Sequence, residues 1–289
     1  MELPLVVGVD GSEQSLRAVD WAADEAALRG VPLRLVYASL WERYEGTALA
    51  KDLGKPSEQV MAEDIVETAA RRVHGRQADV KVTTDVLPEE PEYALVRESR
   101  IASALVLGSR GRSSMAEALL GSVSVTAAGH AHCPVIVLRG SHDNQVRSGA
   151  RRIVLGVGEK AADSAAVRFA VEEARYRGVP LEAVRAWRCP AHETTDHPLL
   201  AGEPSRLHEK RATEILEAAV RDIPADVEVR QRTVEGHARR VLLDASADAD
   251  LLVVAARRRE GHFGLQLGRV AHAMLHRSAC PVAVVPRRV

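Results

Sequence analysis

Aromatic residues are nearly absent: three Trp, four Tyr and two Phe, 3% of 289 positions. A platform that stacks successive bases needs more of them, so a single-stranded nucleic-acid binder is excluded. A surplus of either charge is also missing. The 39 Lys and Arg face 40 Asp and Glu, for a formal net charge of −1. No global basic field therefore draws the chain to nucleic acid or to an anionic membrane. Cysteines number three: Cys133, Cys189 and Cys280. An odd, widely spaced set is no disulfide framework and suits a reducing cytosol. No apolar run approaches the roughly 20 residues of a spanning helix. The opening Met1-Glu2-Leu3-Pro4 lacks the basic stretch and apolar segment of a signal peptide. Together these absences predict a soluble, cytoplasmic protein.

What is present is apolar material for two cores. Hydrophobic residues make up 46% of the chain, mostly Ala, Val and Leu, which helices use to pack on a parallel sheet. The length suits two domains of about 145 residues each, and the chain is written twice. Val6-Val7-Gly8-Val9-Asp10 returns as Val154-Leu155-Gly156-Val157-Gly158. Arg29-Gly30-Val31-Pro32-Leu33 returns as Arg177-Gly178-Val179-Pro180-Leu181. Ala104 to Leu107 returns as Leu251 to Val254, and Cys133-Pro134-Val135 as Cys280-Pro281-Val282. The order is kept at an offset near 148. The expected organisation is a first domain over residues 1–140, a polar Gly/Ser-containing linker over 141–150, and a second domain over 151–289.

Within each half, strand and helix patterns alternate. Leu5 to Val9, Leu33 to Ala38, Val80 to Leu87, Ala104 to Leu107 and Val135 to Leu138 read as strands. Ser12 caps a first helix that Gly30 and Pro32 stop. Further helices are expected over Ser57 to His74, Pro91 to Arg100 and Gly121 to His132. In the second half the clearest run from Ala162 to Arg177 and from Leu207 to Arg221. Such alternation predicts an α/β fold of two tandem, doubly wound, parallel five-stranded sheets.

Open sheets of this kind bind ligands beyond the carboxyl ends of their strands. Asp10 follows the first strand and Gly108 the fourth. Gly108-Ser109-Arg110-Gly111 is followed by nine residues and then Gly121-Ser122-Val123-Ser124. Two glycines three apart let backbone N–H groups turn toward an anion. Gly121-Ser122 opens a helix whose N-terminus favours phosphate, and Arg110 and Arg112 add positive charge. The Asp10 carboxylate is wrong for phosphate but right for a ribose hydroxyl or an adenine amino group. The alternative is that these are ordinary βα-turn glycines.

Gly-x-x-Gly, nine residues, Gly-Ser resembles the ATP-binding pattern of the universal stress protein family. The Val-Gly-Val-Asp-Gly-Ser opening and the segment holding His130, Cys133, Pro134 and Val135 resemble it too. The resemblance covers essentially the whole chain, twice, as in the family's tandem members. It implies the adenine nucleotide alpha hydrolase-like fold, with strand order 3-2-1-4-5 in each domain. It implies an ATP site built from Gly8, Asp10, Ala38, Gly108, Ser109, Arg110, Gly111, Arg112, Ser113, Ser114, Gly121, Ser122, Val123 and Ser124. In that site Asp10 meets the base or ribose, Ala38 lies near the adenine, and the two glycine segments hold the phosphates, with Mg2+. It further implies a regulatory role in a stress response, and a fifth strand that pairs across a dimer-like interface. Here Val135 to Leu138 and Val282 to Val285 are the candidates, making the chain a pseudo-dimer that can associate into a homodimer.

The second half carries a damaged copy. Ala255 stands for Gly108, Arg258 for Gly111, Arg269 for Ser122 and Gly158 for Asp10, while Gly268 survives. A Cβ at a position that needs positive φ costs about 1 kcal/mol or more, so the nucleotide site is expected to be lost there. Either a redundant site has decayed, which is the preferred reading, or Arg257, Arg258, Arg259 and Arg269 form a new anion site. Cys189, His192, His197 and His208 match no strong zinc spacing, and His272 and His276 read as one helix face. Cys133 and Cys280 read as inert core-edge thiols. There is no Walker P-loop, no nucleophile elbow and no kinase catalytic loop. The expectation is a nucleotide-binding module with no catalytic residue and no resident metal. The alternatives are a slow ATPase or phosphotransferase, and an assembly protein with structural nucleotide.

Overall fold

Leu5-Val6-Val7-Gly8 offers no polar residue to a solvent face, and it forms the buried central strand β1 (Leu5–Gly8) of the first half. The computed structural model describes residues 2–40, 57–110, 120–139, 152–159, 165–189, 203–256 and 267–286. These fall into two compact units.

In the first unit Ser12 leaves the strand in extended conformation, and its hydroxyl accepts the Ser15 N–H at 3.2 Å. That cap starts α1 (Glu13–Arg29), and Gly30, at φ +70°, ends it. The chain continues through β2 (Leu33–Ala38), α2 (Ser57–Arg76), β3 (Val82–Leu87), α3 (Pro91–Glu98), a single 3-10 turn, β4 (Ala104–Gly108), α4 (Ser122–His130) and β5 (Val135–Leu138). All neighbouring strands pair in parallel, in the order β3-β2-β1-β4-β5. Asp10, Gly108 and the end of β2 therefore stand on adjacent strands at one edge of the sheet.

The second unit repeats the plan with β6 (Ile153–Gly156), α5 (Ala165–Arg177), β7 (Leu181–Trp187), α6 (Glu203–Val220), β8 (Val229–Glu235), α7 (Ala238–Ser246), β9 (Leu251–Ala255), α8 (Arg269–Arg277) and β10 (Val282–Val285). Its order is β8-β7-β6-β9-β10, again parallel. Gly178, at φ +61°, closes α5 as Gly30 closes α1. The repeated Arg-Gly-Val-Pro-Leu is thus a helix stop followed by a strand start.

Small differences from the sequence expectation have local causes. β3 starts at Val82 rather than Val80, because the Val80 N–H closes a turn onto the Gln77 carbonyl at 3.3 Å while its side chain is buried. The helix begun at Pro91 tightens into a 3-10 turn over Ser99–Ile101. α6 begins at Glu203, ahead of Leu207, with Pro204 in its first turn, where a missing N–H costs nothing. No helix among the described residues is long and apolar enough to cross a membrane.

Candidate functional site

At the end of β1 the chain turns through Asp10, whose Oδ1 accepts the Ser12 N–H at 2.9 Å. The carboxylate is thereby held at the sheet's carboxyl edge, half-buried, beside the N-terminus of α1. Gly8 closes β1, and the space a side chain would need there is filled by Leu95 and Leu107. Ala38 ends β2 opposite Leu87 of β3 and is half-buried.

Gly108 ends β4 against the first turn of α1. A Cβ there would lie 2.8 Å from the Gln14 carbonyl oxygen and 3.1 Å from the Ser15 nitrogen. Both are backbone atoms that cannot swing aside, so this glycine is required by packing. Two hydrogen bonds join the two glycine segments. The buried Ser124 hydroxyl donates to the Gly108 carbonyl at 2.7 Å. The Gly121 N–H donates to the carbonyl of buried Ser109 at 2.9 Å. These bonds bring the N-terminus of α4 to the ends of β4 and α1. Gly121 is its cap residue and supplies no side-chain cap to the first turn. Val123 is half-buried and Ser122 is exposed, its hydroxyl donating to Glu92 Oε1 at 2.9 Å. The helix end therefore presents first-turn N–H groups and a positive dipole beside Arg110. Gly111, Arg112, Ser113 and Ser114 lie outside the described residues.

Two residues of this edge escaped the sequence reading. Arg139 directly follows β5, and Gly108 pairs with Leu138 across β4 and β5. Burial depresses the Arg139 pKa, and the Arg110 charge beside it depresses it further. A charged residue immediately after a fully buried strand was the available signal. Glu92 lies in the first turn of α3 and carried no signal of its own in the sequence. Only the packing of α3 on α4 brings it to Ser122.

The second unit arranges the equivalent edge differently. A side chain added at Gly158 would meet nothing within 4 Å, so the lost carboxylate is a chemical change and not a steric demand. Arg185 stands on β7 where β2 has the buried Tyr37. Its Nη1 donates to the Val157 carbonyl at 3.1 Å, and its Nη2 lies 3.8 Å from Glu159. A guanidinium, 12% exposed, thus rests on the residues flanking Gly158. Arg269 is exposed at the start of α8, and Arg257, Arg258 and Arg259 lie outside the described residues.

Among the described residues no three His, Cys, Asp or Glu are grouped to hold a metal ion. Cys189 and His208 are described, whereas His192 and His197 are not. The rings of His272 and His276 on α8 meet tilted, with centroids 4.4 Å apart. Burial pushes the Cys133 thiol up to about 12 and the Cys280 thiol up to about 11, which leaves both protonated and weakly nucleophilic at neutral pH.

The sequence profile of the universal stress protein family matches residues 3–139 and again residues 149–286. Universal stress protein Rv2005c of Mycobacterium tuberculosis is 31% identical over 300 residues, covering 97% of this chain and 96% of its own. Universal stress protein Rv1996 of the same organism is 33% identical over 305 residues, covering 98% and 94%. A crystal structure of a universal stress protein from Archaeoglobus fulgidus superposes with a TM-score of 0.65 at 19% identity, over 99% of this chain and 98% of that one.

Proposed function

Because the chain belongs to the universal stress protein family, as a tandem of two of its domains, we propose that its first half binds ATP and serves as a nucleotide-responsive regulatory module. The observation that carries this reading is the Ser124 to Gly108 bond of 2.7 Å. It closes the two glycine segments on each other and leaves the α4 N-terminus, Arg110 and Arg139 at one edge, where phosphates are favoured. Asp10, across the same edge, supplies the acceptor that a ribose or adenine needs. Gly111 to Ser114 complete the phosphate side in this reading. Mg2+ would sit on the phosphates with mostly water and phosphate oxygens as ligands. The role is binding rather than turnover, and no catalytic residue is assigned.

Calorimetric titration of Mg-ATP tests this. One site per chain is expected, with affinity lowered roughly tenfold or more in Asp10→Ala, since a lost hydrogen bond to a charged group is worth about 1.5–3 kcal/mol. Full-strength binding by Asp10→Ala, or two equivalent sites per chain, overturns the assignment. Phosphate release measured in the same samples decides against pure binding if it exceeds background and disappears in Asp10→Ala.

A further inference from the structure

We propose that Glu92 sets the phosphate affinity of the first-half site, by holding the Ser122 hydroxyl until a phosphate takes it. This rests on the nucleotide reading given above.

A serine hydroxyl has one hydrogen to donate. In this structure that hydrogen goes to Glu92 Oε1 at 2.9 Å. Ser122 is the first residue of α4, at the positive end of the helix dipole, and its cap residue Gly121 contributes no side chain. Glu92 is therefore the anion that this helix end keeps for itself. A phosphate group that accepts from Ser122 must break the bond and must also expel a like charge from the same few ångströms.

The carboxylate is free to leave. Glu92 lies in the first turn of α3, next to Pro91 at the helix start, and is half-buried rather than enclosed. The body of α3 is anchored elsewhere, by Arg97 to Glu89 and by Glu98 to Arg34 at 3.1 Å. Displacement is then a rotation of one side chain, and α3 need not move.

The second half supports the same assignment by contrast. Leu95 packs on Gly8 as Leu242 packs on Gly156, which aligns Glu92 with Arg239 and Ser122 with Arg269. Both partners there are cations, so neither can play the competitor. The carboxylate–hydroxyl pair occurs in the half with the intact glycine motif and is gone from the half without it.

The test is titration of ATP and of adenosine into the full chain as wild type, Glu92→Ala, Glu92→Gln, Ser122→Ala and the Glu92→Ala/Ser122→Ala double variant. Glu92→Ala is expected to tighten ATP roughly two- to fivefold, the size of a charge effect at a helix terminus. Adenosine binding stays unchanged, because it carries no phosphate. Glu92→Gln, which keeps an acceptor and drops the charge, falls between. The gain shrinks when Ser122 is already Ala. ATP binding that is unchanged or weaker in Glu92→Ala overturns the proposal while leaving nucleotide binding intact. Binding by Glu92→Ala but not by wild type upholds it and removes ATP binding from the native chain. Binding by neither overturns both.

Discussion

At the residue scale, glycines that look alike in the sequence do different work. Gly108 and Gly158 both stand at the carboxyl edge of a sheet, each in its own half. A Cβ at Gly108 would come within 2.8 Å of the Gln14 backbone, whereas one at Gly158 meets nothing within 4 Å. Gly108→Ala is therefore expected to destabilise by about 1–3 kcal/mol, the usual cost of forcing atoms into packed space. Gly158→Ala should stay within about 0.5 kcal/mol of wild type. Denaturant unfolding monitored by circular dichroism separates the two, and equal effects would mean that Gly108 is not wedged against α1. This also determines how the site can be probed. A side chain at Gly108 disturbs the fold and the ligand edge together, so Asp10 and Ser122 are the cleaner positions. The sequence identified Gly108 as a turn glycine beside a strand end, but its contact with Gln14 spans 94 positions of chain and is visible only once α1 and β4 are placed together.

At the element scale, the first helix of each half buries an ion pair that its sequence period conceals. Glu25 and Arg29 of α1 pair at 2.6 Å, with side chains 0% and 7% exposed. Glu173 and Arg177 of α5 repeat the pair at 3.3 Å, 0% and 13% exposed. Four-residue spacing would ordinarily mark a solvent face worth a few tenths of a kcal/mol. Burial changes the magnitude, because removing one partner leaves a charge out of water. Arg29→Met and Arg177→Met should each cost about 3 kcal/mol or more. Asp20→Ala should cost less than about 1 kcal/mol, although its pair with Arg72 has two bonds of 2.5 Å, because it lies at the exposed junction of α1 and α2. If all three variants unfold at the same urea midpoint, burial of the helical pairs contributes nothing. Element identity was legible for the central elements: apolar runs gave the buried strands, and Arg-Gly-Val-Pro-Leu gave the helix stops, whereas the polar edge strand β8 carries no apolar run. Element ends were less so, as Val80 illustrates. An apolar side chain is buried there, yet its backbone belongs to a turn, and hydrophobicity alone does not distinguish the two.

At the scale of the whole molecule, the repeat and the family were legible from motifs in register, and the chemistry that separates the halves was legible only in part. The missing carboxylate at Gly158 and the extra arginine at Arg269 stand in the sequence. The seating of Arg185 on the Val157 carbonyl, and the hydrogen bond from Ser122 to Glu92, depend on strand order and helix packing. The proposed function assigns nucleotide to one half only. Hydrogen exchange with and without Mg-ATP reads it directly, since amides that a ligand covers or rigidifies exchange more slowly. Slowing is expected at residues 8–12, 108–110 and 121–125, where β1, β4 and α4 meet. The matching residues 156–159, 255–256 and 268–272 should exchange at their ligand-free rates. Asp10→Ala should abolish the slowing in the first set. Slowing of equal size in both sets would mean that a guanidinium at Arg185 and a missing carboxylate do not exclude nucleotide. Slowing confined to the second set would relocate the site to the arginine-rich half.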